Sequence, residues 1–537
     1  MNRRKFLRLA AVTAAAGLSW RLVEAAPAKA APRYDVVVVG AGLGGLSCAA
    51  LLAHKGLKTL VLEQHYRLGG YATSFPRRAG DNRFVCEVSL HSTVLASPSV
   101  RSVLETVGVW DKLELAPHPH AWASRFPDLS LDIPAKAGLD GFEKQLRSTF
   151  PGETEGLGAY FGLWRGIMQE LNALPGFAGP KEAFPARFPH LWEIRDKTVG
   201  QLVDAHIRDP RVRAVLTQSC GYYGLPPSRL AAFYYLGPTG DYLERGGVYI
   251  KGTSQALSDA LVQSIRDAGG EVRARTAVTA VLVQDGRAVG VRTADGREYA
   301  ARAVVSNACV PELFQSLVPA GSLPAKDQAR LASLTPSPGS FIVWLGLNRD
   351  IRQQFPDPEV SSYPSLDMEA NYRAAMACDF EKASFSLMAY DNLIPGFSPA
   401  GCSTVSLVCC CGYGHWKPFE ADYLAGRKEA YATEKRRLTE LLVAMAEKRA
   451  IPGLSEMIVM CESATPLTNL RFTRNAKGSI YGYAPTVDNV FLSRLPNRTA
   501  VPGLFLASAW GAPGGGYGGV IEGGKDAFAE VSAFLSA

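Results

Sequence analysis

The sequence predicts an α/β fold in which a Rossmann-type dinucleotide-binding domain is joined to a second domain of mixed α+β structure. Three observations predict it. A β-branched run at 34–39 leads directly into a glycine-rich loop, a second strand ends in an acidic residue, and a strand near the C-terminus leads through glycines into a helix. The 537 residues are enough for two or more domains, and 47% hydrophobic residues is an ordinary globular composition.

The first element is a strand followed by a loop that can hold a nucleotide. The run YDVVVV at 34–39 has the continuous hydrophobicity of a central parallel strand that is buried on both faces. Gly40, Gly42 and Gly45 follow with G-x-G-x-x-G spacing. The first glycine allows a tight turn, the second lets the backbone approach a pyrophosphate, and the third lets the next helix pack closely on the strand.

A helix over 45–55 and a second strand at 58–62 come next. That strand ends at Glu63, where an acid accepts hydrogen bonds from a ribose hydroxyl. The alternative is a glycine-rich turn in some other α/β fold. That interpretation is weaker, because strand, helix, strand and acid occur here in the expected order. Glu63 alone does not choose between FAD and NAD, but the Gly69-Gly70 pair that follows is typical of FAD enzymes, in which extended chain passes the pyrophosphate.

The later elements are a helix, a small meander and a final strand–loop–helix. Residues 254–268 carry apolar side chains at helical spacing. Asp285-Gly286 and Asp295-Gly296 are hairpin turn signals between alternating runs. The closing stretch leads from the strand-like LFLASAW to a helix that starts near Gly519, where backbone N–H groups and the helix dipole favour negative charge.

These blocks resemble the phytoene desaturase-like flavoproteins, in their carotenoid isomerase and retinol saturase branch, from about residue 34 to the end. The matching stretches are YDVVVVGAGLGGLSCAALLAHKGLKTLVLEQHYRLGG, then KGTSQALSDAL with AVVSNA, then IYGYAPT with GLFLASAWGAPGGGYGG. The resemblance implies a glutathione-reductase-like, discontinuous FAD-binding domain and a long lipophilic, usually conjugated substrate. Carried over by position, the residues that would contact FAD are Gly40, Gly42, Gly45, Glu63, Gly70, Val278, Gly519 and Val520, with Val278 contacting the adenine mainly through its backbone.

The resemblance also divides the chain into domains. The FAD-binding domain would comprise residues 34–107, 246–310 and 461–537, and the substrate domain would comprise 108–245 and 311–460. Two stretches depart from the family pattern. Residues 84–91 read FVCEVSLH, with a serine for the usual glycine and a shifted acid, and Ala507-Ser508 stands where Ala-Gly is common. The second departure does not affect the prediction of FAD.

The position of His91 in the family pattern makes it the first candidate for a proton-transfer or positioning group near the flavin, against the alternative of a structural histidine. Glu87 is a weaker candidate, and Tyr481 and Tyr517 lie beside the terminal motifs. An aromatic run is interpreted either as the lining of a tunnel for a long hydrophobic substrate or, equally, as part of the ordinary hydrophobic core. Its members are Tyr222, Tyr223, Phe233, Tyr234 and Tyr235.

Hydride transfer at flavin N5 allows desaturation, saturation or, with reduced flavin, isomerisation. The sequence therefore predicts an FAD-dependent oxidoreductase acting on carbon–carbon bonds of a lipophilic polyene isoprenoid. The alternatives are an amine-oxidase-like flavoprotein that oxidises a C–N bond and a flavin-bearing protein that only binds a polyene. A quinone or another electron carrier and a peripheral membrane contact are the candidate partners.

The N-terminus predicts export. Asn2 to Arg8 matches the twin-arginine pattern, an apolar run of twelve residues follows, and Ala28-Lys29-Ala30 offers a cleavage site within a signal peptide of residues 1–30. The run is too short for a bilayer, which needs about 20 residues. The alternative is a basic amphipathic helix. Twin-arginine export carries proteins already folded around their cofactors, which suits a nucleotide-binding protein working outside the cytosol.

Charge and cysteine content exclude other classes of function. Most of the formal charge of +7 comes from residues 1–30, and the remainder carries 51 basic and 49 acidic residues, so no broad surface for a nucleic acid is predicted. The ten cysteines form no Cys-x-x-Cys pair, and we expect no metal site. Cys409–Cys411 are interpreted as small core residues rather than metal ligands.

Overall fold

The structure, a computed structural model, describes residues 34–89, 91–174 and 179–537. The predicted leader at 1–30 lies outside the described residues. The strands are β1 (Tyr34–Val39), β2 (Thr59–Leu62), β3 (Ser74–Ala79), β4 (Asn82–Glu87), β5 (Leu115–Pro117), β6 (His120–Phe126), β7 (Leu129–Pro134), β8 (Val248–Ile250), β9 (Glu271–Arg273), β10 (Val278–Gln284), β11 (Arg287–Thr293), β12 (Glu298–Ser306), β13 (Gly339–Leu347), β14 (Glu359–Ser362), β15 (Phe385–Ala389), β16 (Ser403–Cys411), β17 (Ile458–Ala464) and β18 (Leu504–Leu506).

Helices of eight residues or more connect and cover these strands. They are α1 (Leu43–His54), α2 (Pro98–Thr106), α3 (Gly138–Thr149), α4 (Thr154–Ala173), α5 (Val199–His206), α6 (Pro210–Thr217), α7 (Ala232–Arg245), α8 (Ser254–Asp267), α9 (Ala325–Ser333), α10 (Met368–Met376), α11 (Glu429–Arg449), α12 (Pro466–Thr473) and α13 (Tyr517–Ser536). None of the helices in the described ranges combines the length and hydrophobicity needed to cross a membrane.

The first sheet has the strand order β10-β11-β12-β1-β2-β9, and β18 pairs with the end of β12. β1 runs parallel to both of its neighbours and is buried almost completely, as its continuous hydrophobicity predicts. The meander of β10, β11 and β12 forms where the turn signals place it. Asp285 and Gly286 have φ values of +50° and +74°, the positive pair that a type I′ hairpin needs.

The second sheet has the order β17-β13-β16-β15-β14-β6-β7 and is mostly antiparallel. Cys409 and Cys411 are buried in β16, as expected for small core residues. β17 (Ile458–Ala464) belongs to this sheet, and the predicted domain boundary at 460/461 lies within this strand. With a Rossmann-type sheet and a separate mixed sheet, the predicted fold class is confirmed.

Helices α1 and α13 cross at a close contact made by glycines. A Cβ on Gly44 would lie 2.4 Å from the Ala507 carbonyl oxygen, and a Cβ on Gly524 would lie 2.6 Å from the Gly44 oxygen. Gly45 approaches β1 in the same way, since its Cβ would lie 2.5 Å from the Gly40 oxygen. The two helices therefore begin beside each other at the same end of the first sheet, and both starts face one cavity.

Candidate functional site

A cavity of about 1430 Å³ is lined by residues from both sheets. Most small-molecule pockets have volumes of about 300–1,000 Å³. This one is therefore large enough for a cofactor together with a second molecule. The glycine loop after β1 lines one part of the cavity, and tyrosines from α7 and the segment before it line another.

Asn307 holds the glycine loop in place through a hydrogen bond to Gly42. It directly follows β12, and its Oδ1 accepts a hydrogen bond from the Gly42 N–H at 3.0 Å while its Nδ2 donates to the Ala507 carbonyl. A Cβ on Gly42 would lie only 2.4 Å from Asn307 Oδ1. Asn307 is not among the residues predicted from the sequence, although its place at the end of a strand returning beside β1 was a usable signal.

Glu63 orders the other side of the loop. Its two carboxylate oxygens accept hydrogen bonds of 2.8 Å from the backbone N–H groups of Ala41 and His65. An ionised carboxylate has about four acceptor positions. Glu63 therefore keeps acceptor capacity for ribose hydroxyls on its cavity side.

Gly69 and Gly70 complete a wall without side chains. Their φ values are +121° and +62°, and a Cβ on Gly70 would lie 3.1 Å from the Gly42 Cα. Gly69 also forms a β-bridge with Gly42, so the two glycine segments are in contact. Side chains here would occupy the place where the backbone can approach a pyrophosphate, and the free N–H groups at the start of α1 favour an anion there.

The start of α13 forms a second region suited to negative charge. Gly516, with φ of +84°, precedes the helix, and Gly519 and Val520 in its first turn line the cavity. Tyr517 Oη lies 3.0 Å from Ser89 Oγ. A dinucleotide could thus have its pyrophosphate at α1 and its second ring system near α13.

The structure brings most of the predicted residues together. Those that line the cavity are Gly40, Gly42, Glu63, Gly70, Val278, Gly519, Val520 and His91. Gly45 does not line it, because its role is the close packing of α1 on β1. Among the described residues, no group of three or more His, Cys, Asp or Glu side chains is placed to hold a metal ion.

His91 lies in the cavity wall, with Nδ1 3.4 Å from Tyr390 Oη. Burial, and to a smaller extent the nearby His118, lowers the pKa of His91 to about 4, so its ring is neutral at pH 7. Glu87, the weaker candidate, does not line the cavity. Its buried carboxylate accepts hydrogen bonds from Tyr249 Oη at 2.7 Å and from the Ser254 N–H at 2.9 Å, which anchors the start of α8.

The aromatic run divides between cavity and core. Tyr222, Tyr223, Phe233 and Tyr234 line the cavity, whereas Tyr235 is buried and donates a hydrogen bond to the Leu216 carbonyl at 2.8 Å. Adjacent helical residues point about 100° apart, so Tyr234 and Tyr235 face different sides of α7. Four of the five residues thus lie where a tunnel lining would be, and Tyr235 belongs to the core, the other interpretation of the run.

Comparison with known proteins gives three named relatives of similar extent. Prolycopene isomerase of Daucus carota is 26% identical over 498 residues, which are 90% of this chain and 77% of the relative. All-trans-retinol 13,14-reductase of Danio rerio is 25% identical, covering 83% and 77%. Lycopene-forming phytoene desaturase of Pseudescherichia vulneris is 27% identical, covering 91% and 97%. The resemblance noted in the sequence is confirmed.

Solved structures share the fold. An oxidoreductase from Methanosarcina mazei superimposes with a TM-score of 0.60 at 15% identity, covering 94% of this chain and 100% of that one. Cyclohexylamine oxidase from Brevibacterium oxydans gives a TM-score of 0.58 at 17% identity, covering 94% and 99%. These similarities establish the architecture that surrounds the cavity.

The family model for flavin-containing amine oxidoreductases matches residues 43–384, which is more than half of the chain. A glycine-walled cradle, an acid at the ribose position and a second anion-favouring helix start fit a flavin that carries a second nucleotide, namely FAD. The chain therefore belongs to the flavin-containing amine oxidoreductase family and is an FAD-dependent oxidoreductase.

Proposed function

We propose that this oxidoreductase acts on carbon–carbon bonds of a lipophilic polyene isoprenoid. The observation that carries the proposal is the aromatic part of the large cavity, which is continuous with the glycine cradle. Burying a long apolar chain there is favourable by about 25 cal/mol per Å² of apolar surface. The names of the sequence relatives point to the same substrate class.

Bound FAD supplies hydride transfer at its N5 atom. The chain's own contribution is to bind, orient and exclude water. Gly40, Gly42 and Gly70 would admit the pyrophosphate, Glu63 would accept from the ribose, and Val278, Gly519 and Val520 would contact the two ends of the cofactor. His91 would orient the substrate or flavin by hydrogen bonding, since a neutral imidazole can donate and accept at once.

One observation favours the amine-oxidase alternative. Glu359 lines the aromatic part of the cavity, where a carboxylate could pair with an ammonium group. Burial raises its pKa to about 7, however, so the uncharged carboxylic acid, which cannot form such a pair, is populated at neutral pH. Binding of a polyene, in contrast, needs no ionised partner.

Anaerobic titration of the purified FAD-loaded protein separates the candidates. A panel of C20 to C40 isoprenoids in detergent should reduce the oxidised flavin, reoxidise the reduced flavin or yield isomers, with products identified by chromatography. A parallel panel of soluble amines should leave the flavin spectrum unchanged. Amine-dependent peroxide release with no response to any polyene would overturn the proposal, and stoichiometric polyene binding without turnover would favour the non-catalytic alternative.

We further propose that the protein is exported by the twin-arginine route and works outside the cytosol. There it would exchange electrons with a quinone or a similar carrier. Arg3 and Arg4 support export, and the need to load FAD before crossing the membrane suits a route for folded proteins. Reoxidation of the substrate-reduced protein by a soluble quinone analogue, compared with NADP⁺, tests the partner. A peripheral membrane contact would follow from a substrate dissolved in lipid and can be measured by liposome flotation.

A further inference from the structure

Glu359 is a carboxyl group in the aromatic part of the cavity, and its side chain has no hydrogen bond or ion pair with any of the described residues. It begins β14, an internal strand of the second sheet, and it lines the cavity while the next residue, Val360, packs into the core on the opposite face. Within the described part of the chain, burial is the one cause of its shifted pKa, and neither a hydrogen bond nor a basic group offsets it. The carboxyl group can therefore change protonation state close to neutral pH.

Tyrosines from several elements lie near enough to this carboxyl group to respond to its charge. Burial raises the pKa values of these tyrosines, and the charge of Glu359 adds to each shift; they are Tyr222, Tyr242, Tyr363 and Tyr390, from the segment before α7, from α7 itself, and from the ends of β14 and β15. Tyr390 also approaches His91 Nδ1. Glu359 thus lies in the same neighbourhood as the histidine that sequence reasoning selected.

A second, small cavity lies beside Glu359, against His118 and His120. Its volume is about 20 Å³, which is enough for a water molecule, since that needs about 10–15 Å³. His118 Nε2 and His120 Nδ1 are buried and have no hydrogen-bond partner among the described residues, and His118 as a residue is only 5% exposed. With Glu359, these ring nitrogens give a water molecule the two to four polar partners that it requires.

His120 continues from this small cavity to the protein surface. Its Nε2 atom lies 3.6 Å from Asp357 Oδ1, and the two side chains are 31% and 24% exposed. Arg125 holds Asp357 from the other side at 3.3 Å. Because imidazole can take a proton at one ring nitrogen and release one from the other, His120 can link the small cavity to solvent.

We propose that Glu359 exchanges the proton that the polyene loses or gains, and that a water molecule in the small cavity and the His120 ring connect its carboxyl group to solvent. The proposal rests on the proposed function. It assigns a catalytic role to Glu359 and a relay role to His120.

In desaturation, a hydride leaves one carbon for FAD and a proton leaves its neighbour. The neighbour's C–H bond breaks, its electron pair becomes the new C=C bond, and the proton forms an O–H bond with the Glu359 carboxylate. The proton then passes to the water, the water protonates His120 Nδ1, and His120 releases a proton from Nε2 towards Asp357 and solvent. Saturation runs through the same steps in reverse and consumes one proton.

The two directions differ in their pH dependence. Desaturation needs the carboxylate, so its rate should rise with pH through about 7, whereas saturation needs the carboxylic acid and should slow as the pH rises through the same value. The sign of this dependence therefore reports the direction of the reaction, which the cavity shape does not.

The kinetic test compares the FAD-loaded wild type with Glu359→Gln, His120→Gln and a control, Glu381→Gln. Glu381 is exposed and lies outside both cavities. Glu359→Gln should slow polyene-dependent flavin reduction or reoxidation by about 10²-fold or more and remove the pH dependence near 7. His120→Gln should slow the reaction less and be rescued by added imidazole, and the control should match the wild type. Wild-type rate and pH profile in Glu359→Gln would overturn the proposal while the proposed function stands.

Infrared difference spectra give a readout that needs no polyene. A protonated-carboxyl band should be present at about pH 6, disappear at about pH 8 and be missing from Glu359→Gln. After a rapid pH jump, the band should change more slowly in His120→Gln than in the wild type. If no polyene reacts but the band behaves in this way, the proposed function and the catalytic role of Glu359 fail, whereas the connection of its carboxyl group to solvent through His120 stands. If the band survives in Glu359→Gln, or its rate of change ignores His120, the proton route is wrong.

Discussion

Alanine at Gly42 should weaken FAD binding through a collision with Asn307. The new Cβ would lie 2.4 Å from Asn307 Oδ1, well inside the 3.0 Å that Cβ atoms keep. Asn307 cannot swing aside freely, because its amide accepts from the Gly42 N–H and donates to the Ala507 carbonyl. The loop must therefore move away from the position that the pyrophosphate requires.

The size of the effect follows from the cost of overpacking. Forcing an extra carbon into a filled site costs about 1–3 kcal/mol. The apoprotein can relieve the collision by moving the loop, whereas FAD needs the loop in place, so the cost should appear in binding. The Kd for FAD should rise by about 5- to 150-fold.

The assay is reconstitution of the apoprotein followed by flavin fluorescence. It compares the wild type with Gly42→Ala, Asn307→Ala and the double variant. Once Oδ1 is removed by Asn307→Ala, adding Gly42→Ala should cost less than it does alone. Gly162→Ala is the control, because this exposed helical glycine has open space around it and alanine there should leave FAD affinity unchanged. Wild-type affinity in Gly42→Ala, or an equal cost in both backgrounds, would refute the reasoning.

Three other predictions concern His91, stability and export. His91→Ala should slow polyene turnover by about 10²-fold while FAD stays bound, because the substrate or flavin loses an orienting hydrogen bond, and parallel loss of FAD would show a structural role instead. Burial lowers the pKa values of His91 and His118 to about 4, so the native state binds fewer protons than the unfolded state. Stability should be full above about pH 6.5 and fall by about 2 kcal/mol per histidine at about pH 5, with His91→Gln flattening the profile in urea titrations. Changing Arg3 and Arg4 to lysine should trap FAD-loaded precursor in the cytosol, and unchanged export would contradict the leader interpretation.

The nucleotide cradle could be predicted because its signals are local. Strand, turn glycines, helix and acid lie within about thirty residues, and each has its own backbone reason to be there. Asn307 escaped prediction because its contacts with Gly42 and Ala507 join segments that are distant in sequence. Contacts between such distant segments can be predicted from one sequence only when the order of the strands in the sheet is known.

The aromatic part of the cavity was harder to predict, because similar residues there differ only in the direction of their side chains. Tyr234 and Tyr235 are neighbours in sequence, yet one faces the cavity and the other the core. Glu359 carries no motif at all, and its interest comes from burial and from the small cavity beside it. Glu87 was a candidate because it lies near His91 in the sequence. In the structure its carboxylate accepts hydrogen bonds from Ser254 at the start of α8.

The order in which the cradle's parts are synthesised has a consequence for cofactor loading. The glycine loop leaves the ribosome early, but β12 with Asn307 and β18 with the α13 loop are made near the middle and the end of translation. A nascent or truncated chain therefore has no complete place for FAD. Only a full-length chain can therefore bind FAD. If the leader directs export of folded protein as proposed, prematurely terminated chains would stay in the cytosol and be degraded there.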